Sequence, residues 1–335
     1  WDRAKIKTLA VSEEEFESAR GQVDTSQRLV LEAVIDRFQK FYASQKLRAA
    51  PCVDDTGFYS ERVSPLDRAG LYVPGGRAPL ISTLIMLAVP ARVAGVPERF
   101  IATPPRPDGT IPPILLEAAK MAGATGVYKM GGAQALAAFA YGTRTVPKVD
   151  KVFGPGNVYV TAAKKLLFGE AGVDLLAGPS ELIVIADETA SPQMLTQDLL
   201  AQAEHGPDSL SLLLTTSGSL ADQVRGGVSA ENKSLLKQIY VVQLKTIDDC
   251  LSAASEAAPE HLSLAVAEPE KWIRKTGPAG AIFLGSTAVA YGDYVAGPNH
   301  TLPTSGAARF SSPLSLESFF RRSSILNVRD ADGEL

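Results

Sequence analysis

The chain has 335 residues, 45% hydrophobic and 21% charged, with a formal net charge of −4. That is enough for two cores of ordinary domain size, and it offers no basic surplus to serve a nucleic acid. The densest basic spots, Lys164-Lys165 and Arg321-Arg322, are isolated pairs, and the apolar run from Leu80 to Val93 is broken by Ser82, Thr83, Pro90 and Arg92 short of membrane length. Cys52 and Cys250 form no CxxC pair, which argues against a disulfide framework and a cysteine-rich zinc site and points to a reducing compartment. The sequence opens at Trp1 and shows no signal peptide, so trimmed ends and a cytoplasmic location (a plastid, for a plant source) are expected.

Helices come first in chain order. Ser12 to Glu15 spells a capping box, and Leu31, Val34, Ile35, Phe38 and Tyr42 form an apolar stripe at helical spacing. A rhythm of strand, glycine turn and helix then begins. Gly70 to Val73 leads through Pro74-Gly75-Gly76 to an apolar helix reaching Leu87. Phe100 to Ala102 leads to a helix opened by Pro112-Pro113, and Val127 to Lys129 leads through Gly131-Gly132 to an Ala-rich helix. A fourth unit follows, with a strand from Val149 to Phe153, a turn at Gly154-Pro155-Gly156-Asn157 and a helix from Val158 to Leu167.

A second set starts near Ser180. Leu182 to Ala186 reads as a strand, Ser191-Pro192 opens a helix running to His205, and Leu210 to Leu214, Tyr240 to Val242 and Ala281 to Leu284 read as further strands. The pattern predicts an α/β chain with two doubly wound, Rossmann-like parallel-sheet domains, and a site where the C-terminal edges of the two sheets face each other. No internal repeat in residue identity and no low-complexity linker marks the boundary.

The turn Gly154-Pro155-Gly156-Asn157-Val158-Tyr159 begins like G-x-G-x-x-G but places Tyr159 where the third glycine belongs, and Asp174, at a suitable distance, opens a strand instead of ending one. A loose nucleotide platform and an ordinary strand-to-helix turn both remain open. Asp198, Gln202 and His205, spaced i, i+4, i+7, are expected on one polar helix face, either as a ligand set or as a solvated surface. All three histidines, His205, His261 and His300, stand at the ends of apolar segments beside Gly or Pro and a carboxylate or amide. Proton transfer and metal binding use such loop-edge placement. Glu260-His261 after Pro259 offers two distinct proton acceptors or a satisfied polar turn.

From about Leu71 to Leu326 the chain resembles the histidinol dehydrogenase family. The resemblance is carried by Gly70-Leu71-Tyr72-Val73-Pro74-Gly75-Gly76, Gly131-Gly132-Ala133-Gln134-Ala135, Phe153-Gly154-Pro155-Gly156-Asn157 and Ala177-Gly178-Pro179-Ser180-Glu181. It continues in Gln202-Ala203-Glu204-His205-Gly206-Pro207-Asp208, Pro259-Glu260-His261-Leu262, Gly292-Asp293-Tyr294, Gly297-Pro298-Asn299-His300-Thr301-Leu302-Pro303-Thr304 and the segment from Phe310 to Arg322. It implies a zinc- and NAD-dependent, four-electron oxidation of L-histidinol to L-histidine through a bound aldehyde.

By that resemblance, Gln202, His205 and Asp293 match zinc ligands, and Ser180, Gln202, His205, His261, Asp293 and His300 match substrate contacts. Tyr72, Gln134 and Asn157 match cofactor positions, while Glu260 and His261 match the acid/base pair, His261 for the alcohol proton and Glu260 for the water that hydrates the aldehyde. Neither cysteine lies in a loop motif, so a hydrated-aldehyde route is expected over a thiohemiacetal.

The implied organisation joins residues 1–71, with the N-terminal helices, and 181–314 as a substrate and metal domain, with 72–180 as the NAD domain. Residues 315–335 then start a C-terminal dimerisation arm exchanged across a homodimer. The family's fourth zinc ligand is a histidine on that arm, and no histidine follows His300 here, so trimming and a low or substrate-dependent zinc occupancy are expected. Two other readings stay open: a related dehydrogenase of another amino alcohol or a hydroxylated sulfonate, and an inert, zinc-free, oligomer-forming relative.

Overall fold

The structure, a computed structural model, describes residues 4, 6–45, 47, 51–54, 57–75, 79–231 and 233–328. Gly76 and residues 329–335, both part of the sequence reading, lie outside the described residues. The chain divides into two compact units, one formed by residues up to Asp174 together with those from Leu314 onward, the other by Leu175–Pro313.

In the first unit α1 (Glu13–Gln22) opens with the expected capping box: Ser12 Oγ accepts from Glu15 N at 3.3 Å, and the Glu15 carboxylate accepts from Ser12 N at 3.0 Å. Helix α2 (Thr25–Ala43) buries Leu31, Ile35, Phe38 and Tyr42. A short antiparallel pair, β1 (Cys52–Asp54) and β2 (Gly57–Pro65), precedes the wound region. Strand β3 (Arg68–Tyr72) then leads to α3 (Ile81–Val93), β4 (Glu98–Thr103), α4 (Pro113–Ala122), β5 (Gly126–Lys129) and α5 (Gly132–Tyr141). After these come β6 (Lys151–Phe153), α6 (Val158–Leu167) and β7 (Gly172–Val173).

The five strands β3 to β7 form a parallel sheet in the order β5-β4-β3-β6-β7. Chain direction reverses across it between β3 and β6, the switch point of a doubly wound fold. Helix α3 runs past the expected Leu87 and carries Pro90 inside it, because it is buried nearly all round and packing outweighs the missing N–H.

The second unit repeats this topology. Strand β8 (Glu181–Ala186) is followed by α7 (Pro192–Ala203), β9 (Leu210–Thr215), α8 (Gly218–Glu231), β10 (Ile239–Gln243), α9 (Ile247–Ala257), β11 (His261–Ala265), α10 (Pro269–Trp272), β12 (Ala281–Leu284) and α11 (Val289–Tyr294). The sheet is again all parallel, in the order β10-β9-β8-β11-β12, with its switch point between β8 and β11. One apolar cluster joins α7 and α8 to one face of this sheet, and a second, with Cys250, Leu251 and Ala254 of α9, covers the other. Burial on both faces explains the nearly continuous apolar runs of the strands.

The last described strand, β13 (Phe320–Val328), returns to the first unit and pairs antiparallel with β2 from Phe320↔Pro65 to Val328↔Gly57. Just before it, Phe319 stacks on Phe153 with ring centroids 4.3 Å apart. The α2 stripe joins the core of α3 and α4, so the described part of residues 1–71 groups with 72–174 in the first unit. The described part of 315–335 closes a three-stranded antiparallel sheet. That sheet escaped the sequence reading because β2 is only half-buried and lacks clean alternation.

Among the described residues, no helix is long and apolar enough to cross a membrane.

Candidate active site

In the second unit, the expected chemistry gathers at the N-terminal edge of the sheet. His261 opens β11, Glu181 opens β8 beside it, and α7, running back from the other edge, ends just before His205. This corrects the expectation of a C-terminal-edge site for this unit: the motif residues precede their strands or follow their helix, so they belong to the opposite rim.

His261 is 2% exposed and held at both nitrogens by acceptors. Its Nδ1 donates to Glu181 O (3.1 Å), and its Nε2 donates to Asp293 Oδ1 (3.0 Å). While Asp293 faces Nε2, the protonated form of the ring is favoured. Burial alone would lower its pKa, but the hydrogen bond and charge of Asp293, with the charge of Glu260, raise it to about 9.

Glu260, 7% exposed, accepts from Ser180 Oγ at 2.5 Å and from Glu181 N at 2.9 Å through Oε2, which lies 3.6 Å from His261 Nδ1. Burial raises its pKa against the opposing pull of His261 and these two donors. Asp293 sits on α11, where Gly292 allows close approach: a Cβ there would lie 2.4 Å from the Phe283 ring. Burial opposes the Asp293 charge, but His261, His300 and His205 together hold its pKa below the usual value.

The neighbouring histidines have fixed orientations. His300 donates from Nδ1 to Asp293 O at 2.8 Å, and its burial lowers its pKa. His205 donates from Nδ1 to Ala201 O and Gln202 O (3.1 and 3.3 Å), leaving the Nε2 lone pair for another partner. Asp198 and Gln202, i and i+4 on α7, share a helix face, but neither Gln202 nor His205 lines the cavity that Asp198 lines. Asp198 accepts from Val289 N.

In the first unit, the three expected cofactor positions lie at the C-terminal ends of the strands. Tyr72 ends β3, and its hydroxyl accepts from Gly132 N at 3.0 Å, at the start of the helix that carries Gln134. Asn157 caps α6, its Oδ1 accepting from Tyr159 N and Val160 N, both at 3.1 Å. Gly154, at φ +116°, passes so near β3 that a Cβ would stand 2.1 Å from Tyr72 O.

Asp174 is occupied as a buried anchor for this turn, which removes it as a ribose-binding carboxylate. Its Oδ2 accepts from Gly154 N (2.7 Å), its Oδ1 pairs with Lys164 Nζ (2.6 Å), and Lys164 also donates to Gly154 O. Sequence reasoning missed Lys164 and Glu181. Lys164 carries no motif signal, whereas Glu181 was visible only as the end of Ala177-Gly178-Pro179-Ser180-Glu181.

The histidinol dehydrogenase family profile matches residues 1–334. A curated relative, histidinol dehydrogenase 2 of Nostoc sp., is 47% identical over 96% of this chain and 77% of its own length. The histidinol dehydrogenase of Pseudomonas aeruginosa is 44% identical over 97% of this chain and 76% of its own. The crystal structure of histidinol dehydrogenase from Elizabethkingia anophelis superposes with a TM-score of 0.94 at 38% identity, covering 98% of this chain and 78% of that one.

The chain belongs to the histidinol dehydrogenase family. It is thereby placed among the oxidoreductases, and the resemblance read from the motifs holds over essentially the whole chain.

Among the described residues no three His, Cys, Asp or Glu side chains are already grouped around a metal position. The donor set that the family resemblance implies is of another kind, since one member is an amide. Gln202 is 3% exposed, and its Nε2 meets no hydrogen-bond partner. A buried amide left in that state lacks a polar partner, and its O and N exchange by a simple flip. With the Nε2 of His205 and the carboxylate of Asp293, it would offer an O, N, O donor set whose chemistry suits zinc, once Asp293 exchanges its bond to His261.

Proposed function

We propose that this chain catalyses the zinc-dependent, NAD-linked oxidation of L-histidinol to L-histidine through bound L-histidinaldehyde, in the cytoplasm. The observation that carries the reading is the pairing of two buried, sequence-adjacent groups, Glu260 and His261, held at one sheet edge through different backbone atoms of Glu181, its N–H and its C=O. Two successive oxidations need two separate proton removals, one from an alcohol and one from a water that hydrates an aldehyde. One site must therefore hold two bases without merging them.

His261 takes the alcohol proton. Its Nδ1–H stays fixed on Glu181 O, and once Asp293 turns from Nε2 toward the metal the ring loses the partner that favours its second proton, so Nε2 is the atom that accepts. Glu260 activates water for the second step, with Ser180 and the Glu181 N–H holding one carboxylate oxygen and fixing the direction of the group. Ser180 and His300 complete the substrate contacts. Gln202, His205 and Asp293 hold zinc, which when bound supplies Lewis acidity and orients the substrate. By the family resemblance, a fourth ligand would come from the longer C-terminal arm that the family exchanges across a homodimer.

The second unit is on this reading the substrate and metal domain, and the first carries the cofactor. There the Gly154 turn approaches closely, and Tyr72, Gln134 and Asn157 frame the dinucleotide that accepts the hydrides. With zinc, NAD and L-histidinol, the protein should form two NADH per histidine. No NADH above background, or one NADH with free aldehyde accumulating as the end product, would refute the assignment.

A further inference from the structure

The second unit has the same strand order as the first, and its switch point, between β8 and β11, also opens a cavity, of about 210 Å³. Its walls come from the segment after β8 (Thr189, Ser191), from α7 (Leu195, Asp198), from the end of β11 (Ser263, Val266) and from the turn after β12. No candidate catalytic residue lines it. In doubly wound sheets this is where small ligands bind, and the volume, below the roughly 300–1,000 Å³ of drug-sized sites, limits the occupant to a small molecule.

The chemistry of the walls selects the charge. A nucleotide phosphate at a switch point needs a glycine-rich turn and unsatisfied N–H groups at the helix N-terminus. Here the turn after β8 is Asp187-Glu188-Thr189, and Ser191 Oγ already accepts from Met194 N. No Lys, Arg or His lines the cavity, whereas Asp198 does, and no cation pairs with it among the described residues. The hydrogen bond from Val289 N leaves acceptor capacity unused, since a carboxylate has about four lone-pair sites. Leu195, Val266, Met194 and Ala265 supply an apolar wall, and Thr189, Ser263, Ser286 and Thr287 supply hydroxyls.

We propose that this cavity is a binding site for a small organic cation, whose ammonium group meets the Asp198 carboxylate while its hydrocarbon part packs on Leu195 and Val266. Burial raises the Asp198 pKa to about 6, as expected of a desolvated carboxylate awaiting a counter-charge.

Calorimetric titration of the protein with n-butylamine, butyrate and 1-butanol at pH 8 tests the site. n-Butylamine should bind saturably at one site, and the anion and the alcohol at least tenfold more weakly. Asp198→Asn, which keeps an acceptor for Val289 N, should weaken the amine at least tenfold with the melting temperature equal or higher, and Ala265→Phe should block the cavity. His261→Asn should leave amine binding unchanged, which separates this cavity from the catalytic edge. Absence of saturable amine binding to the parent protein, equal binding of amine and butyrate, or an affinity unchanged in Asp198→Asn would each overturn the proposal.

Discussion

Replacing Lys164 by Met removes the cation from a pair whose side chains are each 2% exposed. The ammonium donates to Asp174 and to the carbonyl of Gly154, and Asp174 in turn holds Gly154 N, so one substitution takes a buried charged donor from a carboxylate and a carbonyl at the same turn. Breaking a buried pair from one side costs about 3–5 kcal/mol, mostly the uncompensated charge. For a cooperative unit of 150–250 residues that is roughly 6–20 °C in Tm. Lys164→Met/Asp174→Leu removes both charges and should recover much of the loss. Full recovery is not expected, because the Gly154 N–H and C=O remain without partners at about 1–3 kcal/mol each. Urea and thermal unfolding of the two singles and the double close a double-mutant cycle. In variants that still fold, the KM for NAD should rise more than kcat falls, since the turn carrying Asn157 loosens while the acid/base pair stays intact. A Lys164→Met protein within about 1 kcal/mol of the parent would show that the pair does not anchor the turn.

Other outcomes follow from the same geometry. His261→Asn should suppress oxidation of both alcohol and aldehyde by roughly 10²–10⁴-fold, whereas Glu260→Gln should spare alcohol oxidation relative to aldehyde oxidation in stopped-flow assays with each substrate; equal, small effects would break the division of labour. Asn157→Ala should raise the KM for NAD and cost about 1 kcal/mol of helix capping, with zinc content by metal analysis unchanged. Gln202→Met removes the unpartnered buried amide, so it should leave metal-free protein equal or higher in Tm while zinc retention after dialysis falls. Asp198, with its folded pKa near 6 above an unfolded 3.8, disfavours folding as pH rises from about 4 to 6. Asp198→Asn should therefore stabilise the protein above pH 6, by about 1–2 kcal/mol once partial exposure is discounted, and lose that advantage below pH 4; a pH-independent difference would contradict the shift.

The wound architecture was legible because each unit announces itself by period and punctuation. Val158 to Leu167 is a helix end to end, and Leu182 to Ala186 all but fills β8. Their apolar runs, bounded by Gly, Pro and Asn, permit few alternatives. The antiparallel sheet of β1, β2 and β13 was not legible, since its strands are partly exposed and its partners are distant in sequence. Motif positions for the site were visible, but pairings were not. Nothing local says that Ser180 donates to Glu260, that the Glu181 carbonyl orients His261, or that Asp174 is spent on Gly154 and Lys164. Such facts arise where parallel strands bring the starts of β8 and β11 side by side, a relation no window of sequence contains.

The two units use one topology in opposite senses. In the first, glycine permits the backbone after β6 to approach β3, and the candidate cofactor residues follow at strand C-termini, the edge where helix N-termini present N–H groups to anions. In the second, the candidate catalytic groups stand at strand N-termini, where α7 delivers its C-terminal end. A helix C-terminus offers carbonyls, which favour cations and hold imidazole N–H groups. His205 is oriented by two such carbonyls and His261 by the Glu181 carbonyl at the opening of β8. The polarity of the backbone thus matches the chemistry proposed for each edge: an anionic dinucleotide on the N–H side of one sheet, and imidazoles that would stand beside a divalent cation on the C=O side of the other.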